Sequence, residues 1–462
     1  MSLGSRFFKK KHPIDSPDES TSNFSSSYKG GLKGFLIRGA GWSVFARITT
    51  TGLSFVISIL LARLFSVKDY GGYQYIMGWS ALLNVPAGLG LAEVITREVA
   101  SSSGDNRLDR VEGIVKFSYI SVLVSSFTIA AIVALIITAY PGREWELFPY
   151  FLLSLLFLPI QSCLGVSGAI QTGQKKIVLG SLPLLVNFSL FAGTLVTIWA
   201  FIPVNDLKID SIIRIKIICA IVALALALVL AYRSLKLKEI TTDYKPTIEA
   251  VTWLKAGLSL VLMAEMHTIN NQADILMLGI SAGSENVGIY HAATRLAFLL
   301  NFALAAVLVP MKPLISEFFA SGQMERLQAL VTRTTRLVFT ITLLIALVYI
   351  VFGNKLLTLL YNPQYASGAT ALSILTVAQL FNVGMGPVAA ILVMTGNEKV
   401  AAVGVMISTG INVSLNALLI PRFGIQGAAF ATGTSFVVWN TLLMWETRRR
   451  LRLHPTIFGK LF

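Results

Sequence analysis

Charged side chains inside long apolar segments are the residues of this sequence best placed to do chemistry. Arg47 and Arg295 each lie within such a segment, and a third segment contains Glu265, His267 and Asp274. Ionisable groups are costly in hydrocarbon, so they usually face an interior cavity and bind a substrate or an ion there. Guanidinium groups favour phosphate or carboxylate partners, and an interior carboxylate can bind a proton or Na⁺.

Each of the two arginines allows a functional and a structural interpretation. Arg47 either lines a cavity or extends to the lipid headgroups, as long basic side chains do near helix ends. Arg295 lies deeper in its segment, where it either contacts an anion or forms an ion pair with Glu265 or Asp274. We predict that both arginines bind an anionic substrate.

The segment at 254–280 is the most polar of the apolar segments. A helix with so many polar groups would be unstable facing lipid, so it should line the interior of the protein. Glu265, His267 and Asp274 are expected either to couple transport to H⁺ or Na⁺ or to form static pairs with neighbouring charges.

Asparagine side chains form a second set of candidate binding residues. Asn84, Asn271 and Asn301 lie in three different apolar segments, and an amide can both donate to and accept from sugar hydroxyls. Alternatively, amides join neighbouring membrane helices by hydrogen bonds. We predict that these three asparagines contact the substrate.

The sequence has no motif that is typical of a catalytic centre. The phosphate-binding pattern G-x-x-x-x-G-K-[ST] is absent, as are H-E-x-x-H and G-x-S-x-G. The two cysteines, Cys163 and Cys219, lie in apolar segments, and so few cysteines provide neither a disulfide framework nor a zinc site. We therefore expect no enzyme activity, no catalytic residue, no metal site and no cofactor.

The composition indicates which structural elements hold these residues in place. Of the 462 residues, 55% are hydrophobic and 13% are charged, against roughly 25% charged in soluble domains. The apolar blocks are long enough to cross the ~30 Å hydrocarbon layer as helices, which predicts an all-α integral membrane protein with about twelve spans. The predicted spans are 42–65, 71–92, 113–139, 147–170, 177–202, 211–232, 254–280, 287–310, 333–353, 366–394, 400–420 and 424–446.

The distribution of positive charge predicts the topology. The formal net charge is +15, but the basic residues cluster between apolar blocks and at both termini, which argues against nucleic-acid binding. About 28 of the 38 lysine and arginine residues fall in the even-numbered loops and the termini, as the positive-inside rule requires when both termini are cytoplasmic. We predict a multi-pass protein of the cytoplasmic (inner) cell membrane.

An internal repeat divides the chain into two halves. Tyr73 and Asn84 align with Tyr290 and Asn301 without a gap, and the stretch 186–190 later aligns with 411–415. Six spans in each half make a parallel repeat around a central cavity. The predicted divisions are a disordered cytoplasmic tail at 1–35, a six-helix bundle at 36–232, a cytoplasmic linker at 233–252, a second bundle at 253–447 and a basic cytoplasmic tail at 448–462.

Short glycine-based motifs point to a family. They are LLAR at 60–63 followed by DYG at 69–71, T-G-x-x-K at 172–176 and again at 395–399, and PRFGIQGAA at 421–429. With these motifs, the chain resembles over roughly 35–450 the polysaccharide (O-antigen-type) flippases of the multidrug/oligosaccharidyl-lipid/polysaccharide (MOP) exporter superfamily.

This resemblance implies two six-helix bundles in a V around a cavity lined by spans 1, 2, 7 and 8. It also implies that the protein flips a polyprenyl-pyrophosphate-linked oligosaccharide to the outer leaflet by alternating access, for cell-surface polysaccharide export. Lipid-linked oligosaccharide and membrane lipids would be its partners, with a polysaccharide polymerase and other export components as further candidates, and the protein would be a monomer. The alternatives are a cation-coupled multidrug exporter of the same superfamily and a membrane glycosyltransferase or polymerase.

Overall fold

A computed structural model describes residues 20–104, 107–139, 146–201, 208–236, 247–264 and 266–459. All regular secondary structure in these ranges is helical, and no strand occurs within them. The predicted all-α class is confirmed.

The first half of the chain, which we call the N lobe, contains eight helices. Some membrane passes are built from two of them, because short breaks interrupt the passes. The helices are α1 (Ser20–Leu64), α2 (Val67–Ala87), α3 (Leu91–Gly104), α4 (Leu108–Thr138), α5 (Phe148–Leu155), α6 (Phe157–Gly173), α7 (Ile177–Phe201) and α8 (Ile209–Lys236).

The second half, which we call the C lobe, contains seven helices and one short 3₁₀ helix at Pro363–Gly368. The helices are α9 (Ala250–Ala264), α10 (Met266–Ser281), α11 (Gly283–Ala320), α12 (Met324–Leu360), α13 (Ala369–Gly384), α14 (Val388–Met394) and α15 (Glu398–Leu451).

Many of these helices are long and apolar enough to cross a membrane. Among the described residues, nine helical segments meet that condition, or ten if α2 and α3, which meet at a bend of 47°, are one span. The longest helix, α15, has 54 residues, about 80 Å at helical rise. It turns back at Gly424 (φ 53°), so that Ser408 on its first limb donates to the Ser435 carbonyl on its second at 3.1 Å. The count of twelve spans stays a prediction.

The outer surface matches a lipid environment. Large apolar side chains are exposed along α4 and α12, for example Ile120, Val124 and Leu135 on the first and Leu344 and Val351 on the second. A soluble protein of this size would not expose contiguous apolar faces of this kind. These helices therefore face the hydrocarbon of the bilayer.

The two ends of the helical bundle differ in charge. At one end, which we call the turn end, Lys68 Nζ pairs with Glu146 at 2.6 Å. At the other end, which we call the basic end, lie the Arg448–Arg450 run and Arg110, whose Nη2 pairs with Glu249 at 3.0 Å. The helices run alternately between these two ends.

The lobes meet most closely where α2 crosses α11 near the turn end. A methyl group at Gly71 would fall on the Ser284 carbonyl, and one at Gly288 would fall on the Val67 carbonyl. The internal repeat pairs Gly71 with Gly288 and Val67 with Ser284, so the two contacts are equivalent. The two halves are thus related by an approximate two-fold axis through this crossing, and the backbones touch there because glycine leaves the space.

The predicted division of the chain differs from the structure at three places. Helix α1 already begins at Ser20, within the predicted tail, because extending an existing helix costs little. Helix α8 continues to Lys236 and α9 begins at Ala250, so the connection between the lobes is shorter than 233–252. Residues 453–459 pack against the basic end of α12, where Arg336 donates to the carbonyls of Ile457 and Gly459 at 2.9 Å each.

Candidate substrate cavity

A cavity of about 650 Å³, which we call the central chamber, lies between the lobes. It is on the basic-end side of the α2–α11 crossing and extends along α11 to Leu308. Arg47 of α1 and Asn271 of α10 line it, together with Arg295 and Asn301 of α11. Four of the predicted site residues therefore share one cavity.

A second cavity of about 280 Å³, which we call the N-lobe pocket, continues from the chamber into the N lobe. Gln272, His291 and Arg295 line both cavities. Deeper in the pocket lie Asn187 of α7 and Lys216 of α8. The two cavities therefore adjoin, and polar side chains line both of them.

A third cavity of about 200 Å³, which we call the lateral crevice, separates α1 from α11. Its wall is mostly apolar and includes Val44, Phe298 and Phe302. Arg47 and Asn301 line both the crevice and the central chamber. The Arg47 guanidinium group therefore lies where the central chamber meets the more apolar lateral crevice.

The charge on the walls of these cavities has one sign. Arg47, Arg295 and Lys216 line them, and no aspartate or glutamate is among their described lining residues. None of the three cations forms an ion pair within the described part of the chain. Such a cavity favours an anionic ligand.

Arg295 is held by a chain of hydrogen bonds that begins at its own helix. Its Nε donates to His291 Nε2 at 3.2 Å, and His291 Nδ1 lies 2.7 Å from the Tyr70 hydroxyl. Because a guanidinium group can only donate, Nε2 accepts and Nδ1 of the neutral ring carries the proton. Tyr70 then contacts Ser58 at 2.7 Å. The relay fixes the His291 tautomer and leaves the other guanidinium nitrogens of Arg295 available to the cavity.

Asn301 belongs to a cluster of amides on the C-lobe wall of the chamber. Its Nδ2 donates to Gln379 Oε1 at 2.8 Å, and its Oδ1 accepts from Asn382 at 3.0 Å. Asn440 in turn donates to Asn382 at 2.9 Å. The cluster joins α11, α13 and α15 and presents Asn301, Asn382 and Asn440 to the chamber. The position of Asn301 is therefore compatible both with contact to sugar hydroxyls and with hydrogen bonding between helices.

Asp274 lies in the C lobe and outside the three cavities, in what we call the carboxylate nest. Tyr290 donates to its Oδ2 at 2.7 Å and Asn416 donates to its Oδ1 at 2.6 Å. Thr432 also donates to Oδ2, and Asn412 accepts from Asn416. Asp274 is 5% exposed, and its partners are hydroxyl and amide groups rather than Arg295.

The remaining predicted residues have other positions. The oxygen of Asn84 accepts from Ser162 at 3.0 Å within the N lobe, and Asn84 is not among the residues lining the three cavities. Glu265 and the side chain of His267 lie outside the part of the chain that the structure describes. The contribution of all these residues to binding or coupling stays a prediction.

Lys216 and the His291–Tyr70 relay were not predicted from the sequence. Lys216 falls within a predicted span at 211–232, so the rule that interior charges face cavities applied to it as it did to Arg295. The nearby Arg214 conceals this signal, because it makes the start of the span resemble an ordinary basic flank.

A helical membrane protein with two related lobes and a polar chamber between them belongs to the class of membrane transporters. Residues 36–319 match the family model described as polysaccharide biosynthesis protein, and residues 259–418 match the MatE model. The first match covers more than half of the chain. The protein therefore belongs to the polysaccharide biosynthesis protein family and is a transporter of the MOP exporter superfamily rather than an enzyme.

Similar proteins agree with this family. An uncharacterized membrane protein of Methanocaldococcus jannaschii is 21% identical over 88% of this chain and 82% of its own length. A probable low-salt glycan biosynthesis flippase of Haloferax volcanii is 24% identical over 37% of this chain and 36% of its own. Among solved structures, an inward-facing multidrug resistance MATE family transporter of the MOP superfamily superposes with a TM-score of 0.69 at 16% identity, over 87% of this chain and 94% of its own. This similarity confirms the two-lobed fold.

Proposed function

We propose that the protein flips a polyprenyl-diphosphate-linked oligosaccharide from the inner to the outer leaflet of the cytoplasmic membrane. The proposal depends on the positive charge of the cavity walls. Arg47, Arg295 and Lys216 line them, and no carboxylate is among the described lining residues. A diphosphate is the permanent anionic group of such a cargo, and guanidinium groups bind phosphate oxygens through paired, charge-assisted hydrogen bonds. Polymerase partners and a monomeric state remain predictions.

The three parts of the cargo fit three parts of the cavity system. The diphosphate lies at Arg47 and Arg295, on the wall of the central chamber. Sugar hydroxyls face the amides of Asn271 and Asn301. The prenyl chain leaves through the lateral crevice, beside Phe298 and Phe302, so that the apolar tail stays in lipid while the headgroup crosses inside the protein.

The positions of the open and closed regions support alternating access. The central chamber lies toward the basic end, and the α2–α11 crossing at Gly71 and Gly288 closes the path toward the turn end. With the basic end in the cytoplasm, as the positive-inside rule predicts, this conformation loads cargo from the inner leaflet.

Asp274 is our candidate for coupling to H⁺ or Na⁺. Its carboxylate is buried among hydroxyl and amide groups, and the neighbouring Asn416 Oδ1 is buried without a hydrogen-bond partner in the described part of the chain. Oxygen ligands of this kind suit a small hard cation or a proton. Because the nest contacts α10, α11 and α15, a change of charge there alters the packing of helices that line the chamber.

A multidrug exporter is the second candidate, because a multidrug resistance MATE transporter shares the fold. Cargo charge separates the two functions. A cationic drug would meet Arg47, Arg295 and Lys216 without a described carboxylate to balance its charge. Drug efflux that survives removal of these three charges, together with no movement of a diphosphate-linked glycan, would favour the exporter.

The test is translocation of a fluorescent farnesyl-diphosphate-linked oligosaccharide in proteoliposomes. Arg295→Ala and Arg47→Ala are each expected to lower translocation about tenfold or more, since a hydrogen bond to a charged group contributes about 1.5–3 kcal/mol. Arg214→Ala is the matched control, because Arg214 is exposed on α8 and pairs with Asp210 at 3.3 Å. Full activity of both cavity variants would reject the proposed binding site, and no activity of the unmodified protein would reject the cargo.

A further inference from the structure

Lys216 is a cation inside the membrane domain without a described counter-ion. Its ammonium group donates to the Tyr73 hydroxyl at 3.0 Å and contacts Met77 Sδ at 3.1 Å. It also lies 5.4 Å from the Phe157 ring centroid and 5.9 Å from that of Phe191. No ion pair within the described part of the chain includes it.

These neighbours compensate only part of the cost of an interior charge. Aromatic faces attract a cation, but a thioether is a weak acceptor, and an ammonium group has three strong donors. Tyr73 accepts one of them. The side chain is half-buried and lines the N-lobe pocket, so an anion in that pocket would complete its surroundings.

The internal repeat shows that the equivalent place in the C lobe has the opposite charge. Tyr73 aligns with Tyr290. Tyr73 contacts Lys216 on the last helix of its lobe, and Tyr290 contacts Thr432 on the last helical limb of the other lobe at 3.3 Å. In the C lobe that tyrosine also binds the Asp274 carboxylate, whereas no carboxylate lines the N-lobe pocket among the described residues. The two lobes therefore place an ammonium group beside Tyr73 and a carboxylate beside Tyr290.

The rest of the N-lobe pocket has the chemistry of a sugar site. Gln161, Asn187 and Gln272 supply amide groups, and Phe157 and Phe188 supply aromatic faces. Its volume of about 280 Å³ is just below the ~300–1,000 Å³ of ordinary ligand pockets. The pocket therefore holds a small unit such as one sugar ring.

The depth of Lys216 separates it from the site for the diphosphate. Counting along their helices from the turn end, Lys216 is about 10 Å, Arg295 about 18 Å and Arg47 about 25 Å deep at 1.5 Å per residue. The diphosphate is attached to the prenyl chain, so it stays beside the lateral crevice with Arg47. A diphosphate held between Arg47 and Arg295 leaves Lys216 about 8 Å further toward the turn end by the same count, so a further anionic group of the cargo can meet Lys216 there.

We propose that the N-lobe pocket binds the carboxylate of an acidic sugar in the translocated glycan, and that Lys216 determines this specificity. The inference rests on the proposed function, which supplies a glycan to the cavity. It adds a second anionic group to the cargo, a uronic acid carboxylate that is separated from the diphosphate by part of the glycan.

The experiment measures binding of two synthetic farnesyl-diphosphate disaccharides to the purified full-length protein in nanodiscs. The probes differ only in their second sugar, which is glucuronic acid in one and glucose in the other. The unmodified protein is expected to bind the glucuronic acid probe about tenfold more tightly, a difference of ~1.4 kcal/mol. Lys216→Gln is expected to lose this preference and to bind the two probes with similar affinity.

Two further variants make the result specific. Lys216→Arg keeps the charge and is expected to keep the preference, which provides a folded comparison if Lys216→Gln is unstable. Lys355→Gln is the matched control, because Lys355 also lies over an aromatic ring, 5.8 Å from the Phe352 centroid, but is exposed at the turn end. It is expected to keep the preference in full.

The outcomes separate this inference from the proposed function. Equal binding of both probes by the unmodified protein overturns the acidic-sugar site and leaves the diphosphate function standing. A preference that persists in Lys216→Gln or is lost in Lys216→Arg also overturns it. Loss of the preference when chloride replaces a bulky sulfonate anion at constant ionic strength shows a site for free anions and overturns the inference. Binding of neither probe rejects the proposed function and this inference together.

Discussion

At the scale of single residues, His291 positions Arg295 without adding charge to the cavity. We predict that His291→Leu lowers the affinity for a farnesyl-diphosphate disaccharide about three- to tenfold, because one hydrogen bond of ~0.5–1.5 kcal/mol is lost. His291→Gln keeps an acceptor for the guanidinium group and should retain most of the affinity. Binding isotherms of the two variants measure the difference.

Tyr70→Phe tests the same relay one step further away. It removes the hydroxyl that contacts His291 Nδ1 at 2.7 Å and leaves the contact between His291 and Arg295 in place. We expect a smaller loss of affinity than for His291→Leu. If Arg295→Ala abolishes binding while His291→Leu leaves it unchanged, the guanidinium group binds cargo without this support.

The sequence predicted the positions of Arg47 and Arg295 relative to the cavity better than it predicted the position of Asp274. Arg47 and Arg295 are flagged by their charge within apolar segments, and both line the chamber. Asp274 has the same signal, but it lies two residues after Gln272 and hence about 200° around the helix, so Gln272 faces the chamber while Asp274 faces the nest. Without the neighbouring helices, the sequence does not show which of these faces is the cavity.

At the scale of helices, the α2–α11 crossing depends on the absence of two side chains. We predict that Gly288→Ala prevents closure of the turn end, because the added methyl group would fall on the Val67 carbonyl. A backbone atom cannot move aside as a flexible side chain can. The variant should therefore favour conformations in which α2 and α11 separate at the turn end.

Labelling of a single cysteine measures this shift. In a background with Cys163→Ser and Cys219→Ser, Gln272→Cys places a thiol on the chamber wall. A membrane-impermeant maleimide should reach it from the basic end in the parent and also from the turn end in Gly288→Ala. Gly193→Ala is the control, because nothing lies within 4 Å of the added methyl group. Labelling from the turn end that is equal in all three proteins would contradict the prediction.

The C-terminal segment at 453–459 packs against the break between α13 and α14. Gly386 in this break has φ 75°, and a methyl group there would fall on the Pro455 carbonyl. We predict that Arg336→Ala lowers the unfolding temperature by removing two hydrogen bonds from a charged donor, of about 1.5–3 kcal/mol each at most. Thermal unfolding in detergent measures the change, and the exposed Arg333→Ala is the control. An equal shift in both variants would show that the two hydrogen bonds of Arg336 add no stability.

Proline positions coincide with some of the interruptions of the helices, whereas Pro183 lies inside the continuous helix α7. Pro86 lies at the end of α2 before the 47° bend, and Pro387 precedes α14, as expected for residues that lack a backbone donor. The start of α1 at Ser20 had no such signal. Its polar residues indicate a tail, whereas the helix there continues one that the membrane-spanning part of α1 has already nucleated.

At the scale of the whole molecule, the repeat predicted the two-lobed architecture but not its conformation. The alignment of Tyr73 with Tyr290 places the lobes in equivalent positions. Closure at the turn end comes from two glycines, Gly71 and Gly288, that touch across the lobes. The two halves would align in the same way in a conformation with an open turn end, so the alignment does not distinguish the two conformations. The free-energy difference between such states is a property of the assembled lobes rather than of either half.

Ion binding in the carboxylate nest can change the free-energy difference between the two conformations. Binding of H⁺ or Na⁺ at Asp274 changes the charge at the contact of α10, α11 and α15, so the ion can shift the conformational equilibrium only through its unequal affinity for the two states. We predict that Asp274→Asn moves the diphosphate-linked cargo down its own gradient but no longer responds to an imposed H⁺ or Na⁺ gradient.

Proteoliposomes with and without each ion gradient measure this response directly. Asp210→Asn is the control, because Asp210 pairs with Arg214 on α8 at 3.3 Å, away from the nest. Retained binding of the farnesyl-diphosphate disaccharide shows that Asp274→Asn is folded, since the nest is separate from the cavity walls. If the variant still accelerates in an ion gradient as the parent does, the driving ion binds elsewhere and the nest serves only to join the helices.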